Sequence, residues 1–281
     1  MKILATLLLI LLFNNCKEQK KTVYISPPGY DINKPEKIRV RDILDEISGI
    51  VYDKKNNAIM AIDDELGKLF SIDLANTSSY KISKFGSNGD YEDLAYTGSD
   101  WYVLKSNGDI YLTKNIFTDS SSSEKFSHTE KGNEFEGLYF DKASNCLWLL
   151  CKSCKKDDNK KAVSLYAFDI ATKQFKPEPV WQIDVKQIKE KLSVKDLSFK
   201  PSAIAMHPLQ KHLYILSGVN KMLVIADSSG NVQAAYKLNP SNFRQAEGIT
   251  FSENGDMYIS NEATDDAYAN ILKFTYNVAD K

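Results

Sequence analysis

The stretch EFEGLYF at residues 134–140 has close counterparts along the chain: SGIVY from Ser48, EDLAY from Glu92, SAIAM from Ser202 and EGITF from Glu247. Aligned on their leading residue, the copies start at 48, 92, 136, 202 and 247, so the steps are 44, 44, 66 and 45 residues. A turn-forming segment follows each copy: DKKNN at 53–57, TGSD at 97–100, DKASN at 141–145, HPLQKH at 207–212 and SENGD at 252–256. Gly, Asn, Asp and Pro at such places read as hairpin loops. A second apolar run comes next in every copy (AIMAI, WYVL, CLWLL, LYILS, MYIS). After a polar connector comes a third, namely KLFSIDL, DIYLT, SLYAFDI, MLVIAD and NILKFTY.

Three or four strands repeated at a period near 45 residues predict an all-β chain folded as a β-propeller. One such blade cannot bury both of its faces, and packing around a ring supplies the missing cover. Five blades follow from the five copies; a sixth would have to lie hidden in the 66-residue step. That step holds CKKDDNKK at 154–161, read as a charged surface loop, and VKQIKEKL at 185–192, read as a short helix. YKISKF at 80–85 and VQAAYKL at 232–238 are the clearest fourth strands. No such strand follows NILKFTY, whereas IRVRD at 38–42 is a spare β-like segment. Pairing the two would close the ring and remove an open edge.

Composition agrees with one large folded unit: 281 residues, 43% apolar and 26% charged, with 15 Tyr and 13 Phe that favour strands. A net charge of −1 leaves no basic excess to neutralise phosphates, so nucleic acid is not the expected partner. Residues 1–15 read as an export signal: Lys2, then an apolar run from Ile3 to Phe13. Eleven apolar residues are too few to span a bilayer. Cys16 follows, in the setting of a bacterial lipoprotein signal, where it would carry the lipid. Residues 16–35 read as a lipidated cysteine with a flexible tether, and 36–281 as a single propeller. The expected location is therefore the bacterial cell envelope, with the chain held to a membrane by lipid, on the periplasmic face or the cell surface. A monomer is expected. For Cys151 and Cys154, a local disulfide or packed thiols is the expectation, and no zinc site is completed.

The phrases ISGIVYD, YEDLAY, FEGLYFD, KPSAIAMHP and QAEGITFSENGDMYISNE resemble the SdiA-regulated family of bacterial envelope propellers, over roughly residues 38–276. More distantly they are similar to esterase-like phytase and NHL-type propellers. The first resemblance implies a propeller of the envelope, often a lipoprotein; neither implies a particular reaction.

In a propeller the first strand of each blade lines the axis, so the leading residues converge at one mouth. Here they are Ser48, Glu92, Glu136, Ser202 and Glu247. Gathered carboxylates raise one another's pKa unless a cation joins them, and Ca²⁺ suits an all-oxygen set. Glu92, Glu136 and Glu247 are the expected metal ligands. Asp63, Asp64, Asn261 and Glu262, at the ends of second strands, are expected at the same mouth, where with Ser48 and Ser202 they could contact a ligand. Lys105 and Lys152 could instead neutralise the glutamates with no metal. Glu46 and Asp45 lie nearby but out of register. Tyr91 and Phe135 are expected to pack between blades, His207 and His212 to sit in an exposed turn, and Ser121–Ser123 to form a loop tip.

The functional expectation is a binding module for an unknown small ligand or envelope protein, with structural Ca²⁺ at the channel mouth. The alternative is a calcium-assisted esterase or phosphoesterase. For that role only Lys105, Lys152 and Arg244 offer themselves as a phosphate clamp.

Overall fold

The computed structural model describes residues 22–277. Five antiparallel sheets are present. Blade 1 is built from Ile47–Asp53, Ala58–Asp63, Lys68–Asp73 and Tyr80–Lys84. Blade 2 takes Tyr91–Tyr96, Trp101–Lys105, Ile110–Lys114 and Ser122–Phe126. Blade 3 takes Glu134–Asp141, Cys146–Ser153 and Ala162–Asp169, with Gln174–Phe175 and Trp181–Asp184 both pairing its third strand. Blade 4 takes Ala203–Met206, Leu213–Ser217, Met222–Ala226 and Val232–Lys237. Blade 5 takes Ala246–Phe251, Met257–Asn261 and Asn270–Phe274.

The spare N-terminal strand completes blade 5. Glu36–Arg39 runs antiparallel to Asn270–Phe274, with Ile38 opposite Ile271. The long third interval hides no sixth blade. It holds the extra strands of blade 3 and the helix Val185–Leu192, which is capped by the Asp184 carboxylate on the Lys186 amide and ended by Ser193 at φ 53°.

Alternation within the strands sends side chains into the clefts between blades. Tyr91 packs edge-on against Phe85 and Tyr111, and Phe135 edge-on against Tyr166 and tilted against His128. Both are fully buried between blades, as expected. The inner strands are further knit by polar bonds. The Ser48 hydroxyl donates to the Glu92 carbonyl at 2.6 Å, and Ser260 donates to the Ser48 carbonyl at 2.7 Å. The Tyr52 amide donates to Thr250 Oγ1 at 3.0 Å.

The second position of the repeated phrase explains how the strands come so close. A Cβ on Gly49 would meet Asp93 Oδ1 at 2.3 Å and Asp93 Cα at 2.5 Å. One on Gly248 would meet the Ser48 carbonyl oxygen at 2.6 Å. Only glycine admits those approaches.

Three expectations are corrected. Part of the proposed tether is packed: Tyr30 and Ile32 are buried beside Tyr276, and Tyr30 donates its hydroxyl to the Gly255 carbonyl at 2.6 Å. His207 is buried rather than exposed, because its ring sits among Tyr30, Tyr214, Phe251 and Tyr276. Its Nδ1 accepts the Leu209 and Gln210 amides, which shapes the turn from within. Ser122 and Ser123 are not a loop tip but part of the outer strand of blade 2, where Ser123 donates to the Phe85 carbonyl at 2.8 Å. The expected signal segment, residues 1–15, and Cys16 lie outside the described residues.

Candidate functional site

Every glutamate that leads a phrase is the extra residue of a β-bulge. Tyr91 pairs with Lys105 and Asp93 with Leu104, which leaves Glu92 unmatched. Glu136 is unmatched between Phe135 and Gly137, and Glu247 between Ala246 and Gly248. A bulge turns its extra side chain out of the ladder, here towards the mouth where inner strands begin. The partner strand of blade 3 has a bulge of its own: Glu134 pairs with Ser153 and Phe135 with Cys151, so Lys152 is skipped. Two facing bulges thus bring Lys152 onto Glu136, with Nζ 2.5 Å from Oε1 and 3.3 Å from Glu134 Oε1. The Cys151–Cys154 disulfide brackets this lysine, and Asn159 donates to its carbonyl at 2.8 Å.

Electrostatics tie the ring together. Burial pushes the Glu92 carboxyl up to about 10, with Glu136, Asp90 and Glu247 adding to the rise and Lys152 opposing it. Burial pushes Glu136 up to about 8 against the pull of Lys152. Glu247 is also raised by burial, opposed by Lys152, by the Ser202 hydroxyl bonded to it, and by Lys221. Burial by itself would lower the Lys152 ammonium, but Glu136 and Glu134 hold it above the usual lysine range. The ring therefore carries an internal cation.

The other expected residues divide by role. Asp63 is buried and accepts the Glu65 and Leu66 amides, so it shapes a turn. Ser202 accepts the Gly218 amide at 3.1 Å, and Asn261 donates to the Asn242 carbonyl and to Asn270. Lys105 leans over the Tyr91 ring, 5.6 Å from its centre, and Arg244 pairs with Asp266.

Asp64 and Glu262 meet Glu46, the residue out of register with the repeat. Among the described residues these three carboxylates bring oxygens within 4.8 Å of one another; the ring glutamates do not form such a group. The trio sits where blade 5 closes on blade 1: the Asp64 amide donates to the Glu46 carbonyl, and Ala263 donates to Asp45. Asp64 Oδ1 is out of solvent and accepts no hydrogen bond. Burial, with Glu46 next, raises Asp64 to about 7, and burial with Glu247, Asp64 and Glu46 raises Glu262 to about 8. The oxygen-only donor set fits a hard divalent cation. Spacing alone could not single out Glu46, because it precedes the repeated phrase by two residues.

Comparison with known proteins agrees with this architecture. The SdiA-regulated family model matches residues 24–264. No curated protein matches the chain. Among solved structures, a glutaminyl cyclase of Myxococcus xanthus is 12% identical and superposes with a TM-score of 0.59, over 86% of this chain and 94% of its own. A luciferin-regenerating enzyme is 11% identical with a TM-score of 0.53, over 86% and 95%. A protein of unknown function from Bacteroides thetaiotaomicron is 13% identical with a TM-score of 0.52, over 82% and 55%. At these identities the likeness is one of fold.

Proposed function

We propose that this chain, which belongs to the SdiA-regulated family, is a lipid-anchored envelope propeller that binds a ligand or partner protein at its polar mouth. In this reading Ca²⁺ is held by Glu46, Asp64 and Glu262 rather than by Glu92, Glu136 and Glu247. The observation that carries the reading is the closing-seam trio, with oxygens inside 4.8 Å and a buried Asp64 oxygen lacking a partner. Like charges so placed oppose ionisation until a cation joins them. The ring glutamates have less need of one, since Lys152 already stands among them. A bound cation would supply charge neutralisation across the seam and an open ligand position for an anionic or carbonyl oxygen.

Thermal unfolding with and without Ca²⁺ tests the site, because a ligand of the folded state raises the midpoint. The rise should vanish in the triple variant Glu46→Gln, Asp64→Asn, Glu262→Gln and persist in Glu92→Gln. No rise in the wild-type chain, after chelation and re-addition, would sink the calcium reading. Lipid attachment is tested separately by membrane fractionation, in which Cys16→Ser should release the chain.

A second reading, calcium-assisted hydrolysis of phosphate or other esters, draws support from one observation. Glu92, pushed up to about 10 chiefly by burial, would hold its proton at neutral pH close to the Lys152–Glu136 ion pair, as a general acid requires. Turnover of p-nitrophenyl esters that disappears in a folded Glu92→Gln variant would establish it.

A further inference from the structure

Below the polar ring the axis is cleared by sequence. The second position of the five phrases is Gly49, Asp93, Gly137, Ala203 and Gly248, so four strands bring almost no side chain to that level. Asp93 is the exception. It is buried, its Oδ2 accepts the Leu138 amide of blade 3 at 2.7 Å, and its Oδ1 accepts its neighbour Leu94 at 2.8 Å. Its Oδ1 also abuts Gly49 of blade 1. A carboxyl that touches both flanking blades marks the waist of the channel.

From that waist a cavity of about 150 Å³ follows the inner strands to their far ends. Ile50, Leu94, Leu138, Ile204 and Ile249 wall it, one from each blade. Asp93 is the one ionisable carboxyl on the wall, and Tyr96, 42% exposed, stands at the outer end. A chamber of this size, walled also by Tyr96, Tyr139, Thr250 and Phe251, accommodates a body of about six non-hydrogen atoms, on the scale of one benzene ring. Each Asp93 oxygen has one backbone donor and keeps a lone pair for a further one.

We propose that this axial chamber is a binding site for a small apolar primary amine, its ammonium paired with Asp93 and its hydrocarbon body among the five aliphatic side chains. Among the described residues, Asp93 faces no other ionisable carboxyl and no basic side chain on the chamber wall. Burial together with nearby Glu136 holds it well above the usual carboxylate range, against its two amide bonds, so a cation is the complement that would favour its ionised form. The chamber opens at the end opposite the calcium trio, so the site stands whether or not calcium binds.

Isopentylamine is the probe, titrated calorimetrically into the full chain, with circular dichroism to confirm folding of each variant. Binding is expected in the wild-type chain, at least tenfold weaker in Asp93→Asn, and unchanged by saturating Ca²⁺. Absence of binding at millimolar probe, or equal affinity in a folded Asp93→Asn, overturns the proposal; the second result would place the amine on the polar ring. If Asp93→Asn does not fold, Ala205→Trp, which fills the chamber and keeps Asp93, decides: undiminished binding there also overturns it.

Discussion

Lys152 Nζ lies 2.5 Å from Glu136 Oε1, and each residue is the unmatched member of a bulge in the same pair of strands. The ion pair is thus a product of backbone irregularity on both sides. Glu136 is buried and the Lys152 side chain is 24% exposed, so neither is free to find water instead. Removing the cation strands a buried carboxylate, at a typical cost of roughly 3–5 kcal/mol. Lys152→Met should therefore lose that order of stability in urea unfolding at pH 8. The loss should shrink at pH 5, where Glu136 protonates, and adding Glu136→Gln should recover part of it. An additive double-mutant cycle would show the two groups to be uncoupled.

Stability of the metal-free chain should fall as pH rises. Asp63, Asp64 and Glu262 are raised to about 6, about 7 and about 8, chiefly by burial. A carboxyl raised on folding contributes its stability in full below the unfolded value near 4, and loses it through the folded value. The midpoint should decline from pH 5 to pH 9, and Ca²⁺ should flatten that decline. A midpoint that rises over the same window would contradict the raised values.

Gly49→Ala should destabilise by about 1–3 kcal/mol, the range for forced overpacking. The added methyl meets the Asp93 backbone as well as its carboxyl, and backbone cannot swing away. A denaturation midpoint equal to wild type would mean the inner strands can separate at no cost.

Deleting residues 22–39 should leave Asn270–Phe274 as an open edge and uncover the cleft filled by Tyr30 and Ile32. Open apolar edges pair with other chains. Light scattering should then report oligomers, whereas a stable monomer would show closure to be dispensable.

Much of this was readable before any coordinates. The repeat, its turns and its three apolar runs named the architecture, and IRVRD could be placed in blade 5 because one blade lacked a strand. Local chemistry also sufficed for the helix, whose Asp184 cap and amphipathic pattern are short-range. His207 departs from its expected exposure for the opposite reason. Its turn is polar in sequence, but four aromatic rings reach it from residues 30, 214, 251 and 276.

The sequence by itself determined the fold and the placing of the phrase-leading acids at the starts of the inner strands, because strand periodicity depends on local pattern repeated in order. That the blades number five and not six was decided by the structure. Which acids meet which partners was decided only by tertiary structure. Bulges aim Glu136 at Lys152, ring closure carries Glu46 to Asp64 and Glu262, and four small neighbours leave Asp93 at the waist of the axis. Those outcomes depend on ångström-scale register and on residues distant in the chain. A carboxylate's partner is set by such distances, and the spacing of letters does not contain them.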